Sequence, residues 1–184
     1  MRHHIITISR EYASGGHTIG QELAKRLGCH YYDKEMIELT ARESGFNEEY
    51  IRNVEQNVTS SFLYNLGLGG AYAASALSQA GAPRLSAEDQ VFVTQSRIIK
   101  QLADSSEPAI IIGRLGNYVL RERDDVLHVY IYGSVEDRLE RAIRVYGLTR
   151  EEAEKELKRR DKARASQYRH YTDHSRGLAQ DYDT

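Results

Sequence analysis

The run Ser9-Arg10-Glu11-Tyr12-Ala13-Ser14-Gly15-Gly16-His17-Thr18 has the residue types that a phosphate requires. Glycines let the backbone approach anionic oxygens, and amides at the start of a helix point at the anion. The segment lies between the β-branched run Ile5-Ile6-Thr7-Ile8 and a stretch of helical periodicity, which is the position such a loop occupies. The strict pattern G-x-x-x-x-G-K-[ST] is absent. With Gly15 in the place of the second glycine, Arg10 occupies the first and Gly16 the lysine. Spacing alone leaves a phosphate loop and a tight strand-to-helix turn both open.

A second constellation is Arg160 and Arg164, which on one helix would present two guanidiniums on one face. Like charges so spaced destabilise a bare helix, and a phosphate would relieve them, because guanidinium forks bind phosphate oxygens bidentately. The other reading is a solvated face, with Glu154, Glu156 and Asp161 nearby. Arg138 and Arg141 could likewise face phosphates or pair with Asp137 and Glu140. The seven histidines include His3, His4, His170 and His174, but there is no H-E-x-x-H and only one cysteine, so no structural metal site is expected. Cys29 reads as a small core residue. Tyr168 and Tyr171 could stack on a base, and Gly67, Gly69 and Gly70 read as a hinge.

The elements that must position these residues follow from hydrophobic periodicity. Ile5 to Ile8 predicts a strand, Thr18 to Leu27 a helix stopped by Gly28, and Cys29 to Tyr32 a short second strand. Asp33 is placed to cap a helix carrying Met36, Ile37, Leu39 and Thr40. From Asn47 to Asp104 the patterns are polar and helical, broken by an Ala/Gly/Ser-rich piece before Pro83. Ala109 to Ile112 and Val126 to Tyr132 predict two more strands, and Thr149 to Arg169 a charged helix opened by Thr149 and Glu152 at capping-box spacing. Strands alternating with helices predict an α/β fold in three α/β/α layers around a parallel sheet. At 184 residues, without repeat or linker, the chain reads as a single domain. The 25 Lys+Arg against 27 Asp+Glu offer no global attraction to a nucleic acid polymer or a membrane surface. No apolar run is long enough for a signal peptide or a span, and one cysteine fits a reducing cytoplasm.

From Ile6 to Gly28 the chain resembles the opening of bacterial cytidylate kinases, ending in the same Leu-Ala-x-Arg-Leu-Gly. The string Ser-Arg-Glu-Tyr-x-Ser-Gly-Gly at Ser9 to Gly16 resembles the opening of the cytidylate kinase-like family more closely still. The resemblance continues at Tyr31 to Glu35, Ile112-Gly113-Arg114, Tyr130 to Arg141 and Arg159 to Arg164. It implies a P-loop nucleoside monophosphate kinase fold with a helical acceptor-binding region over 33–104 and a lid over 149–170. Ser14, Gly15, Gly16, His17 and Thr18 would then line the ATP phosphates. Asp33 would lie near the nucleotide or its magnesium, and Arg114 would hold the acceptor monophosphate. In the lid, Arg160 and Arg164 would meet both phosphate groups, and Asp161 would meet the sugar or orient an arginine. The implied activity is direct ATP-dependent phosphoryl transfer to CMP or dCMP, with Mg2+. Two rivals remain: a nucleotide-binding regulatory module without transfer, and a small-molecule kinase with another acceptor. The departures are Gly16 at the lysine position, and Ile112 and Leu115 where cytidylate kinases carry acids. Arg10 or His17 could supply the missing cation, and Asp33 could hold magnesium through water. Asp181-Tyr182-Asp183-Thr184 resembles the beginning of the family's last strand, so a fifth strand is expected after these residues.

Overall fold

The computed structural model describes residues 3–57 and 85–184; the proposed glycine hinge at Gly67, Gly69 and Gly70 lies outside them. In chain order they form β1 (Ile5–Arg10), α1 (Gly16–Leu27), β2 (His30–Tyr32), α2 (Glu35–Ser44) and α3 (Glu48–Asn57). Then come α4 (Ala87–Asp104), β3 (Ala109–Ile112), the single-turn α5 (Gly116–Val119), β4 (Val126–Ile131), α6 (Val135–Tyr146) and α7 (Arg150–Thr172). A short 3-10 turn follows at Ala179–Asp181.

The four strands form one sheet in the order β2-β3-β1-β4, and every pairing is parallel. All four residues of β3 are buried, the mark of a strand covered on both faces. Its side chains alternate between two cores, as the period of two requires. Ala109 and Ile111 pack with Met36, Ile98 and Ile99 of α2 and α4. Ile110 and Ile112 pack with Ala24 and Leu23 of α1. Each buried isoleucine contributes roughly 1.5–3 kcal/mol, so the apolar runs read from the sequence are what hold the three layers together. β1 runs two residues beyond the predicted strand, pairing Ser9 with Tyr130 and Arg10 with Ile131. Arg10 therefore sits on the last rung of the sheet.

α6 and α7 pack on a separate cluster, Ala13, Leu139, Ala142, Ala153 and Leu157. Ala13 belongs to the loop after β1, so that loop is braced by this helix pair. The predicted capping box is present, with Thr149 and Glu152 bonded reciprocally. The predicted cap at Asp33 is not: Lys34 holds the N-cap position of α2 and no side chain caps it. The Asp33 carboxylate instead faces a guanidinium, a charge-assisted partner stronger than a backbone amide. Along the outer side of β4, the amide of Asp183 donates to His128 O (2.8 Å) and that of Tyr130 to Thr184 O (2.8 Å). Among the described residues no helix is long and apolar enough to cross a membrane.

Candidate functional site

The glycine-rich loop leaves β1 at Arg10 and enters α1 through two left-handed residues, Ala13 (φ 59) and Gly15 (φ 88). Gly15 caps α1 without a side-chain hydrogen bond, and the first turn holds no acid. α4, α6 and α7 are capped by Ser86, Ser134 and Thr149 and carry acids in their first turns. The first amides of α1, those of Gly16, His17 and Thr18, thus have neither an intrahelical acceptor nor a side-chain cap. Arg141 of α6 lies over this opening. A Cβ added at Gly15 would meet its guanidinium carbon at 3.4 Å, its Nη2 donates to Thr18 Oγ1 at 2.8 Å, and its buried Nε has no partner among the described residues. A cation beside the positive end of a helix dipole is unfavourable by itself. A phosphate between the two would serve both.

Beside the loop opens a cleft of about 350 Å³. Six arginines, Arg10, Arg52, Arg114, Arg160, Arg164 and Arg176, line it with Lys34, against the two acids Asp33 and Glu55. Asp33 joins cleft and loop: its Oδ1 accepts from Arg114 Nη1 (2.6 Å), and its Oδ2 lies 2.8 Å from His17 Nδ1. Burial works against the charge on Asp33, but Arg114 and Arg10 and the hydrogen bond to His17 outweigh it and hold the carboxyl below its usual range. Arg114 also donates Nε and Nη2 to the two oxygens of Glu55 (3.0 Å each) and Nη1 to Ile112 O (3.0 Å). Four of its five N–H groups are therefore committed. Gly113, Arg114 and Leu115 are consecutively left-handed (φ 70, 51 and 54). Strain of this kind persists only where surrounding structure enforces it, as on the floor of a site.

The other arginines are differently placed. Arg164 Nη1 (3.1 Å) and Arg176 Nη2 (2.5 Å) both donate to the carbonyl of Arg10, which draws three guanidinium side chains together at the end of β1. Among the described residues neither Arg10 nor Arg176 forms an ion pair, and Arg164 reaches Asp161 only at 3.9 Å. Burial, then Arg114 and Arg176, pull the Arg10 guanidinium down to about 10 against the opposing pull of Asp33 and Glu55. Burial, then Arg10 and Arg176, bring Arg164 to about 9. Burial and like charge both disfavour the charged form here, and an anion would reverse the second effect. Arg160 pairs with Glu156 (2.6 Å) and lies 5.0 Å over the Tyr12 ring.

Of the residues singled out in the sequence, Arg10, Asp33, Arg114, Arg160 and Arg164 meet at the cleft, and Gly15, Gly16, His17 and Thr18 form the uncapped helix start. Two stand apart. The Ser14 hydroxyl is shared between the carbonyls of Glu11 (3.0 Å) and Ile131 (3.1 Å), so it ties the loop to β4. Asp161 accepts from the Tyr12 amide (2.8 Å) and from Arg138, so it latches α7 to the loop. Tyr171 stacks on Phe92 at 3.8 Å, and Tyr168 is buried with its hydroxyl bonded to Asn117 and Asp181. Sequence reasoning missed Glu55, Arg52 and Arg176. The helical spacing of Arg138 and Arg141 was its only signal for the arginine over the loop. No three His, Cys, Asp or Glu side chains converge as metal ligands among the described residues. The acids in and around the loop are already engaged, Asp33 and Glu55 by Arg114 and His17 and Glu11 and Asp161 by Arg138, so the donor set does not fit a protein-held magnesium ion.

The profile of the cytidylate kinase-like family matches residues 5–184. No functionally curated protein matches the chain. Among solved structures, an uncharacterized protein from Eubacterium ventriosum superimposes with a TM-score of 0.66 at 19% identity, over 97% of this chain and 84% of its own. TT1252 from Thermus thermophilus gives a TM-score of 0.46 at 20% identity, over 86% and 78%. The first of these likenesses extends the fold over nearly all of the chain.

Proposed function

Since the chain belongs to the cytidylate kinase-like family, we propose that it is a cytoplasmic ATP-dependent phosphotransferase acting on a nucleoside monophosphate, CMP or dCMP. The observation that carries this reading is a cluster of guanidiniums with no close carboxylate partner among the described residues, at Arg10, Arg164 and Arg176, next to an uncapped helix start. The triphosphate lies on the amides of Gly16, His17 and Thr18, with Arg141 across it. The acceptor phosphate occupies the cleft between Arg10 and Arg164. Arg114 fixes Asp33 and Glu55, and through Asp33 it fixes His17. Transfer is direct and in line, and the fixed cations stabilise the charge spread over the phosphoryl oxygens. Any magnesium would enter with the nucleotide rather than on the chain's own carboxylates, and would supply charge neutralisation there.

The test is Mg-ATP with a panel of monophosphates, following ADP. Formation of ADP that depends on CMP or dCMP supports the reading. ATP binding with no ADP from any acceptor would favour the regulatory module. A second reading, another small-molecule acceptor, draws on the cleft itself: among the described residues seven cationic ones line it, and the only aromatic is the buried Tyr168. The panel therefore includes sugar phosphates and bisphosphates.

A further inference from the structure

This inference rests on the phosphotransferase reading and concerns the cation missing from the loop. We propose that Arg10, threaded between Gly16 and Gly113, is the catalytic cation that replaces the loop lysine, and that both positions are glycine to let it pass.

A Cβ built on Gly16 would lie 2.7 Å from Arg10 Cβ and 2.9 Å from its Cγ. These atoms belong to the root of the side chain, and Arg10 is paired in register with Ile131, so they cannot swing aside. No side chain, lysine included, fits at position 16 while position 10 carries a Cβ and Arg10 keeps this course. At the far end, a Cβ on Gly113 would overlap Arg10 Nη1, so the guanidinium rests against the backbone of the cleft floor. Arg10 thus fills the room where a lysine at position 16 would begin, and it delivers its charge to the boundary between loop and cleft. A group in transfer must cross that boundary. His17, the rival, is engaged otherwise: its Nδ1 lies 2.8 Å from Asp33 Oδ2 and 2.9 Å from the Tyr31 hydroxyl. It therefore already has a counter-charge. Arg10 has no ion pair among the described residues, so its charge is available to a ligand.

A cation aimed at the transferring group acts mainly on the transition state, where charge spreads over the equatorial oxygens. Arg10→Ala should lower kcat by about 10²–10³-fold while the Kd for ATP, measured by calorimetry, moves less than tenfold. Gly16→Lys alone should be as inactive, through the clash. Arg10→Gly combined with Gly16→Lys removes both atoms that a side chain at position 16 would meet, and should recover at least tenfold over Arg10→Gly alone. An Arg10→Ala kcat within threefold of wild type overturns the proposal, as does a folded double variant no better than Arg10→Gly. If the double variant does not fold, Gly113→Ala decides: kcat should fall at least tenfold with ATP affinity retained, and an unchanged kcat overturns the proposal. If the wild type transfers phosphate to no acceptor, the phosphotransferase reading fails by itself. Arg10 is then judged by binding of orthovanadate in the presence of Mg-ADP, which mimics the spread charge of a group in transfer, where Arg10→Ala should weaken the Kd at least tenfold and equal affinity overturns it.

Discussion

Two sets of arginines surround the loop after β1, and they are partnered in opposite ways. Arg138, with a side chain 7% exposed, pairs with Glu11 (3.1 Å) and Asp161 and donates to Tyr12 O (2.7 Å). Arg164 and Arg176 converge on the carbonyl of Arg10, and among the described residues no carboxylate pairs closer than 3.9 Å with any of the three. Taking charge out of water costs several kcal/mol unless a counter-charge and hydrogen bonds repay it. Arg138 is repaid within the chain and works as a fastener between loop and α7. The other three are not, and the deficit they leave is what an anionic ligand would fill. Arg114 shares both characters: it lines the cleft, yet most of its donors serve Glu55 and Asp33.

The largest effect that can break this contrast is on stability. Arg138→Leu leaves Glu11 and Asp161 facing each other without their cation and should cost roughly 3 kcal/mol. For a chain of this size that lowers Tm by about 6–12 °C, read by thermal melting. A loss under about 1 kcal/mol would remove the distinction between the two sets. Next, inorganic phosphate at about 100 times its Kd should stabilise the wild type by roughly 2.7 kcal/mol. Arg164→Met should abolish most of that gain, whereas Lys155→Met, at an exposed pair with Glu151, should leave it intact.

A smaller effect concerns pH in the free protein. Arg10 near 10 and Arg164 near 9 lie below the ordinary guanidinium value, so above about pH 9 the unfolded chain holds protons that the folded chain releases. Their contribution to stability is thus unfavourable at neutral pH and becomes less so as pH rises through that range. Arg164→Met should leave the ligand-free protein at least as stable as wild type at pH 7 and flatten its rise between pH 9 and 10.5. Denaturant melts across that range measure both, and a steeper rise in the variant would reverse the sign argued here.

Much of the fold was legible because its cause is local. A β-branched run buried on both faces reads the same in any parallel sheet, and a Thr149–Glu152 capping box is complete within four residues. The loop was legible by composition and the lid arginines by helical spacing. The site's wiring was not. Glu55 bonds Arg114 across 59 positions, and no periodicity links them. Asp33 reads as a helix cap until the sheet brings Arg114 against it. Arg176 stands in a polar stretch after α7 with nothing local to distinguish it. Gly16 looks like a lost lysine until Arg10 is seen occupying the same space.

The smallest effect tests whether α7 moves as one lid. Its early turns are fastened without a ligand: Ala153 and Leu157 are buried against α6, and Asp161 holds Tyr12 N and Arg138. Farther on, Tyr168 is buried and its hydroxyl meets Asn117 Nδ2 at 3.0 Å. Between these anchors lies the turn that carries Arg160 and Arg164, where like charges oppose one another. A bound triphosphate relieves that turn alone, by about 1 kcal/mol, and so slows its local opening roughly fivefold. Hydrogen exchange with ATP and CMP should therefore show added protection centred on residues 160–167, with little change over 151–158. In Arg138→Leu the latch is gone, and the gain should spread toward the start of α7. If the wild type gains protection evenly from 151 to 169, Asp161 opens readily in the free protein. The contrast between a fastened arginine and a waiting one would then be a property of the closed state alone.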